Sequence, residues 1–417
     1  MKQPQSGSFL ALLSLLLVFT SSCMLGRLSD EIEALETDLA TIEGSLSGDL
    51  PNGELAIVAL LEVDSDGEHL ARYSLSYTTG DFAFRGVEPG EYMLVAFNDR
   101  NADLIYQEGE PASDEQLRIT TVGGGSYKDQ NLQLDSSGRS ALSMSLDMGD
   151  STELDFQQVS RGEVTTIENP RFTAENGSLG MWEPMKFLNE VGGGMYMLEP
   201  YSPEKIPVLF VHGLGGNPSE FTYLIENLDH EHFQAWVAFY PSHARMDTVA
   251  NFVLDLTEGL HVEHGYEQLY VVGHSMGGLV GRAFIDKLAG GTPHGDAVSL
   301  LVTMCTPWGG SGAAKMGLKY SRVIAPAWVD LASDSPFLQG LGNKAIPEHI
   351  PFYLMFAYLD GESDDGTVSI SSALHAPVQR KARRVMGYES EHAGVLKSPA
   401  VSDELNRILK QTRESQQ

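Results

Sequence analysis

Ser275 lies in a glycine-bordered stretch that could supply a nucleophile. Residues 273–277 read Gly-His-Ser-Met-Gly, after the apolar run Leu269–Val272 and before a helical pattern over Leu279–Leu288. The bare Gly-x-Ser-x-Gly pattern is common by chance, but between a strand and a helix it predicts a nucleophile elbow. The chain turns so sharply at such an elbow that only small residues fit two positions before and two positions after the serine.

A serine hydroxyl is a weak nucleophile, so it needs a histidine base and a carboxylate that orients the histidine. With this elbow the acid follows the serine along the chain, and the histidine follows the acid. We choose His392 as the base because it lies just beyond the candidate strand Arg384–Met386, at the sheet edge that would hold Ser275. His375, which precedes that strand, is the alternative.

The acid belongs among the carboxylates that follow the candidate strand Phe352–Tyr358. Asp360 is more typical of a cap at the end of that strand than of a catalytic group. The residue types alone leave the choice among the others open. The carboxylates after this strand are Asp360, Glu362, Asp364 and Asp365.

The reaction of a serine nucleophile with a carbonyl group creates an oxyanion that needs backbone N–H donors. Met276, the residue after the nucleophile, is one expected donor. The second should come from the loop after the first strand of the same domain, where residues 212–216 read His-Gly-Leu-Gly-Gly. No lysine follows these glycines at the spacing of a phosphate-binding loop, so we interpret them as part of an oxyanion hole.

The elements that must position these groups are visible from residue 206 onward, where apolar runs alternate with helical patterns. Such runs, rich in Val, Leu and Phe, are typical of strands buried on both faces of a parallel sheet. We therefore predict an α/β domain with a doubly wound, mostly parallel sheet over residues 205–417 and a small cap at about 309–350. The runs are Ile206–Val211, Ala235–Tyr240, Leu269–Val272, Val298–Met304, Phe352–Tyr358 and Arg384–Met386.

The preceding residues have a different period. Between about residues 53 and 134, apolar side chains alternate with polar ones, as in Tyr92, Leu94 and Ala96, and turn signals separate the runs. This pattern predicts a small all-β sandwich domain over residues 49–135. The Ser- and Gly-rich stretch 136–204 is interpreted as a linker followed by an N-terminal extension of the α/β domain.

Four oxygen-bearing side chains in the predicted β domain have the spacing of a calcium loop. They occupy the first, third, fifth and twelfth positions, but the sixth position is Leu104 instead of the glycine that the sharp turn requires. We therefore favour a solvated acidic loop over a metal site. The four residues are Asp99, Asn101, Asp103 and Glu110.

Composition bounds the class of protein. The 417 residues include 27 Lys and Arg against 57 Asp and Glu, a formal net charge of −30. A length of this size predicts two or three domains. Binding to a phosphate backbone requires clustered positive charge, so nucleic acid is not an expected partner.

The N-terminus has the pattern of an export signal. An apolar run from Phe9 to Phe19 is too short to span a bilayer and is followed by small residues and Cys23. Residues 1–22 therefore resemble a bacterial lipoprotein signal peptide, with Cys23 as the site of lipid attachment and an ordinary secretory peptide as the alternative. Residues 23–48 are predicted to form a helical tether. Met24 after the cysteine favours the outer membrane of a cell envelope.

Two family resemblances follow from these motifs. Residues 80–92 are similar to prealbumin-like, or carboxypeptidase-regulatory-like, β-sandwich modules, which commonly serve as spacers or adhesion elements. Residues from about 205 to 410 resemble the α/β-hydrolase family, closest to its lipase branch with PGAP1-like lipases. Further marks of that branch are the Thr-Pro-Trp-Gly-Gly segment 306–310, with Trp308 where the family has histidine, and the segment 330–338.

The lipase resemblance assigns further roles. Residues 365–368 match an Asp-Gly-x-Val segment in which the aspartate is the triad acid, which implies Asp365, with Asp364 as the alternative. The His-Gly-Leu-Gly-Gly segment implies Leu214 as the second oxyanion donor and His212 as a structural residue. Trp308 should make the leaving-group side of the pocket more apolar.

Together these patterns predict an exported, lipid-anchored serine hydrolase that acts on an ester or lipid substrate and needs no cofactor. Ser275, Asp365 and His392 would form its triad, with Leu214 and Met276 as the oxyanion hole. Acyl transfer or amide cleavage by the same triad is an alternative. So is a surface adhesion module with an inactive hydrolase domain, although an inactive enzyme usually loses a triad member.

Overall fold

A computed structural model describes residues 39–135 and 159–416 of the chain, apart from 49, 52–53, 66, 77–78, 101–105, 108, 114–115, 292–293 and 321–324. The predicted signal peptide, Cys23 and residues 23–38 of the predicted tether lie outside these residues. Within the described part, no helix is both long and apolar enough to cross a membrane.

The N-terminal region is all-β, as predicted. Two four-stranded sheets share one apolar core: the first has the order β4-β1-β7 with β8 also pairing with β1, and the second has the order β3-β2-β5-β6. Ile42 and Phe84 of the first sheet face Val58 and Leu94 of the second in that core. The strands are β1 Ala40–Gly48, β2 Leu55–Val63, β3 Glu68–Ser76, β4 Gly80–Val87, β5 Gly90–Asp99, β6 Leu117–Thr121, β7 Ser126–Tyr127 and β8 Leu132–Leu134.

Strand β1 corrects the prediction of a helical tether over residues 23–48 for its last part, Ala40–Gly48. Ala40, Ile42 and Leu46 are buried at even spacing, which is the period of a strand and not that of a helix. The antiparallel ladder with β4, in which Ile42 pairs with Phe84, fixes this register. The apolar residues up to Ile42 also satisfy a helical spacing, so the local pattern was ambiguous and the tertiary pairing decided it.

The calcium-loop candidates are described only in part, since Asn101 and Asp103 lie outside the described residues. Asp99 and Glu110 are both buried. The Glu110 carboxylate accepts hydrogen bonds from the backbone N–H groups of Arg100 (2.9 Å) and Gln107 (3.0 Å). This carboxylate therefore holds the two ends of the loop together.

The C-terminal domain contains an eight-stranded sheet with the order β16-β15-β14-β13-β11-β12-β10-β9. All neighbouring strands are parallel except β10 and β12, so the predicted mostly parallel, doubly wound sheet is confirmed. The six predicted strands are present as β11 Ile206–Val211, β12 Phe233–Phe239, β13 Leu269–His274, β14 Val298–Met304, β15 Phe352–Tyr358 and β16 Arg384–Glu389.

The other two strands lie in the stretch predicted to be a linker and extension. β9 (Val159–Val164) pairs in parallel with β10 (Gly193–Met197), and β10 joins the sheet beside β12. β9 is largely exposed and has no apolar alternation, which is why its sequence gave no strand signal. Two glycines begin β10 because backbone approaches closely there: a Cβ on Gly194 would lie 2.8 Å from the Ser160 nitrogen.

Helices cover both faces of this sheet. The longest, α4, presents Val249, Val253, Leu256 and Leu260 to the core as one stripe, and it ends at Gly265, whose φ of 63° is left-handed. The helices are α1 Ala174–Trp182, α2 Pro184–Lys186, α3 Thr222–Glu226, α4 Met246–His264, α5 Met276–Gly291, α6 Gly312–Tyr320, α7 Pro326–Leu331, α8 Pro336–Asn343, α9 Ile370–Ala373, α10 Ala376–Gln379 and α11 Pro399–Gln416, with 3-10 turns at Pro218–Phe221 and Gly394–Lys397 and a π turn at Phe187–Val191.

The predicted cap corresponds to the three short helices α6, α7 and α8 between β14 and β15. Leu331 is buried in the main core, and Trp328 and Phe337 pack against that core. These apolar residues therefore hold the cap to the domain. Met316 on α6 is different, because it is 56% exposed.

The β domain contacts the α/β domain through β9 and α4. Val262 of α4 packs against the outer apolar face of the second β-domain sheet. The Arg161 guanidinium of β9 lies 5.5 Å from the centre of the Tyr73 ring of β3, a cation–π distance. Gly259 leaves room for this side chain, since a Cβ there would lie 2.5 Å from Arg161 Cδ.

We expect Gly194→Ala to destabilise the protein by about 2 kcal/mol, because the added methyl group cannot fit between β9 and β10 without moving backbone. Urea unfolding followed by circular dichroism measures the change. Gly340→Ala is the control: it lies in α8 with open space around its Cβ position, and we expect it to stabilise by about 0.5–1 kcal/mol. Equal effects of the two substitutions would contradict the tight β9–β10 packing.

Candidate active site

Ser275 occupies a strained turn between β13 and α5. Its φ is 53°, a left-handed value that non-glycine residues rarely adopt. The two bordering glycines are sterically required: a Cβ on Gly273 would lie 2.5 Å from the Gly278 Cα, and a Cβ on Gly277 would collide with the Val211 carbonyl group. The Ser275 N–H donates to the Met304 carbonyl oxygen of β14 at 2.8 Å. This geometry is that of the predicted elbow.

His392 and Asp365, from two loops at the same sheet edge, are hydrogen-bonded to each other. His392 Nδ1 lies 2.8 Å from Asp365 Oδ2, and because an ionised carboxylate only accepts, Nδ1 carries the proton. The backbone N–H of His392 also donates to the Asp365 carbonyl oxygen at 2.9 Å. Both side chains are largely buried, 14% and 2% exposed respectively.

The Asp365 carboxylate is held in its ionised form. Burial alone would raise its pKa, but the hydrogen bond from His392 and those from the Val368 and Thr367 amides outweigh burial and lower the pKa below its ordinary value. These amides lie 2.7 and 3.0 Å from Oδ1. Because Oδ1 is occupied by the loop's own backbone, Oδ2 is fixed toward the imidazole.

The two alternatives from the sequence are placed elsewhere. The Asp364 carboxylate accepts the Gly366 N–H at 2.9 Å and so closes the local turn. His375 is the residue before α10, and it lies beside Gly309. The hydrogen bond to His392 therefore belongs to Asp365, the residue expected from the resemblance.

The predicted oxyanion loop lies directly against the serine. A Cβ on Gly213 would be 2.8 Å from Ser275 Cβ and 3.3 Å from its Oγ, so only glycine allows this approach. Leu214 follows, and the next N–H, that of Gly215, donates to Ser242 Oγ at 2.8 Å and fixes the loop. Met276 is the first residue of α5, where N–H groups have no partner within the helix.

His212 is built into the wall of the site and does not act as a second base. It is fully buried and stacks on Tyr240 with ring centres 4.1 Å apart. Its Nδ1 donates to the Gly213 carbonyl oxygen at 2.8 Å, and its Nε2 accepts the Tyr240 N–H at 3.4 Å. Burial lowers the pKa of His212 to about 4, so the ring is neutral. This agrees with the structural role that the resemblance implied.

Two side chains near the predicted triad, His274 and Glu220, were not predicted. His274 Nε2 lies 3.1 Å from the His392 carbonyl oxygen, so this hydrogen bond helps to hold the loop that contains His392. Glu220 places its carboxylate beside Gly216 of the oxyanion loop, within the electrostatic reach of His392.

Trp308 is 3% exposed and packs on Phe352 in the core, which corrects the expectation that it makes the pocket more apolar.

The sequence comparison with protein families finds one match: residues 206–321 fit the family described as alpha/beta hydrolase fold. With the sheet order and the elbow, this match defines the C-terminal domain as an α/β-hydrolase fold, a class of protein that supports hydrolytic chemistry. No curated protein matches the chain.

Three of the solved structures that are similar to the chain share 14–16% sequence identity with it. The mature Bacillus licheniformis lipase BlEst2 is 16% identical, with a TM-score of 0.41, and the match covers 52% of this chain and 97% of that one. Est1E from Butyrivibrio proteoclasticus is 14% identical, with a TM-score of 0.41 and coverage of 53% and 93%. A monoacylglycerol lipase from Paleococcus ferrophilus is 15% identical, with a TM-score of 0.38 and coverage of 52% and 96%.

The Glu220 carboxyl should make stability depend on pH. Burial raises the pKa of Glu220 to about 7, against an ordinary 4.5, so the folded state binds this proton more tightly than the unfolded state. Its contribution to stability is full below pH 4.5 and is lost as the pH rises through 7. We therefore expect Glu220→Gln to gain stability relative to the wild type over that interval.

Urea unfolding at a series of pH values tests this expectation. The matched control is Glu226→Gln, which removes an exposed carboxylate on the neighbouring helix α3. Wild-type and Glu220→Gln stability curves that run parallel from pH 4.5 to 8 would show that the carboxyl does not titrate in this range.

Proposed function

We propose that the protein is a serine carboxylic-ester hydrolase. The observation that carries the proposal is the hydrogen bond between His392 Nδ1 and Asp365 Oδ2 at the edge of the sheet where Ser275 occupies a left-handed elbow. A neutral histidine oriented by a buried carboxylate has its Nε2 lone pair free to accept a proton. A serine in a left-handed elbow, a histidine and a buried carboxylate at one sheet edge are the groups that nucleophilic catalysis requires together.

The reaction follows from the positions of these groups. Ser275 Oγ attacks the ester carbonyl carbon while His392 Nε2 takes the hydroxyl proton. His392 then returns that proton to the leaving alkoxide, and the C–O bond breaks to give an acyl-enzyme. Water, activated by the same histidine, attacks the acyl carbon and releases the carboxylic acid. Asp365 stabilises the imidazolium in both steps.

The oxyanion formed in each step would be bound by the N–H groups of Leu214 and Met276. The close approach of Gly213 to Ser275 supports this assignment, because Leu214 is the next residue of the loop that lies against the nucleophile. Removal of one such donor typically costs roughly 3 kcal/mol of transition-state stabilisation.

We also propose that the enzyme is exported and held on a membrane through a lipid on Cys23. The support is the short apolar run 9–19 followed by small residues and that cysteine. Two or three acyl chains give stable anchoring where one does not. Metabolic labelling with a radioactive fatty acid tests this: we expect label in the wild type and none in Cys23→Ser, whereas a soluble, unlabelled wild type would support an ordinary secretory peptide.

Hydrolysis of p-nitrophenyl esters from acetate to palmitate tests the activity. We expect turnover by the wild type and a loss of at least about 10⁴-fold in Ser275→Ala, because the nucleophile is gone. Ser371→Ala, which changes an exposed serine, is the control and should retain activity. An inert wild type that a fluorophosphonate probe also fails to label would contradict the nucleophile assignment. Acyl transfer to an added alcohol would instead favour a transferase.

Variants of each predicted triad residue and of its alternative test which residues act as the acid and the base. We expect Asp365→Asn to lower kcat by about 10³–10⁴-fold, since the imidazole loses its orientation, while Asp364→Asn stays near wild type. His392→Ala should be as inactive as Ser275→Ala, and His375→Ala should be active. A larger loss in either control variant than in its partner would show that the triad is assigned to the wrong residues.

A further inference from the structure

A second use of His392 is suggested by two side chains behind it. His274 ends β13, and Cys305 follows β14 with a left-handed φ of 51°. One ligand atom each from His274, Cys305 and His392 lies within 4.8 Å of the other two. The two imidazoles are 4.8 Å apart between ring centres.

His274 has a ring nitrogen without a partner. The side chain is 4% exposed, and Nε2 is used on the His392 carbonyl oxygen, but Nδ1 is buried with no hydrogen-bond partner. Because a carbonyl oxygen only accepts, Nε2 carries the ring proton and Nδ1 keeps its lone pair. A buried acceptor left unpaired costs free energy, which a bound cation would recover.

Cys305 supplies a sulfur at the same place. It is the one free cysteine among the described residues and is completely buried. Burial and the nearby Asp365 carboxylate raise the pKa of its thiol, so it is protonated. The thiol is therefore not a competing nucleophile, and the triad gives it no role.

We propose that His274, Cys305 and His392 bind a soft divalent cation, zinc or cadmium, and that the bound ion switches the active site off. Two imidazole nitrogens and one thiolate are a ligand set that zinc prefers, with a fourth position for water. The inhibitory effect rests on the proposed esterase function, whereas the binding of the ion does not.

The step balances without a further reactant. The Cys305 S–H bond breaks, its proton goes to solvent, and the thiolate pair forms the bond to the cation; both imidazoles donate lone pairs. If the ion binds His392 Nε2, the base is lost. If it binds Nδ1, the proton on that nitrogen leaves to solvent, Nε2 takes up a proton in exchange, and the hydrogen bond to Asp365 is lost. Either way the triad cannot accept the Ser275 proton.

A second group of possible ligands among the described residues serves as a control. Asp229, Glu231 and His232 also converge, but they lie near the surface and Asp229 is already bonded to His232 at 2.9 Å. Metal bound there should not affect the triad. His232→Ala therefore separates inhibition at the active site from binding at the surface.

The test combines direct binding with activity in the full chain. Cadmium is titrated and the ultraviolet thiolate-to-cadmium absorption recorded; zinc is then titrated into the ester assay. We expect Cys305→Ala to lose the absorption and to raise the zinc concentration for half-inhibition at least tenfold. Cys23→Ser and His232→Ala should behave like the wild type. His274→Gln, which keeps the thiol, should also weaken inhibition at least tenfold.

The outcomes distinguish the two proposals. Cadmium absorption that Cys305→Ala abolishes supports the site even if the wild type hydrolyses no ester, since absorption does not depend on catalysis. Absorption retained in Cys305→Ala, or lost in Cys23→Ser, overturns the site. Specific absorption together with zinc inhibition that both Cys305→Ala and His274→Gln leave unchanged overturns the switch. Thermal unfolding of each variant confirms that it is folded.

Discussion

The close contact of three backbone segments at the elbow is the constraint on which the active site depends. Gly277 packs on the β11 carbonyl groups, Gly213 packs on Ser275, and the Ser275 N–H is bonded to β14. The serine is thus held in a left-handed conformation by its neighbours, a strain that persists only where the surroundings fix it. The central strands are buried on both faces and form a rigid base for this turn.

Burial separates the roles of three histidines that share one end of the sheet. His212 and His274 are enclosed, and burial holds their pKa values at about 4 and 3, so they serve as neutral supports. His392 alone is partly accessible and bonded to a carboxylate. Chemically identical side chains at one end of the sheet therefore become two structural residues and one proposed base, because only one of them has an ionised partner.

The sequence was sufficient to predict an element where the local pattern of residues and the tertiary structure favour the same conformation. The buried strands β11 to β16 are apolar runs, and the elbow requires its glycines, so both were predictable. β1 and β9 were not, because their strand state comes from pairing with distant segments. Glu220 and His274 were missed for a similar reason: each lies near His392 only after the chain has folded. Glu220 belongs to no spaced motif, and His274 fills a position of the elbow motif that any residue type can occupy.

The contact of Arg161 with Tyr73 joins the β domain to the outermost strand of the eight-stranded sheet. β9 has a sheet partner on one side only, so part of what holds it in place comes from outside the sheet. Opening of the sheet from this edge therefore has to break a contact with the β domain as well. The N-terminal region thus adds a contact that protects the exposed edge of the eight-stranded sheet.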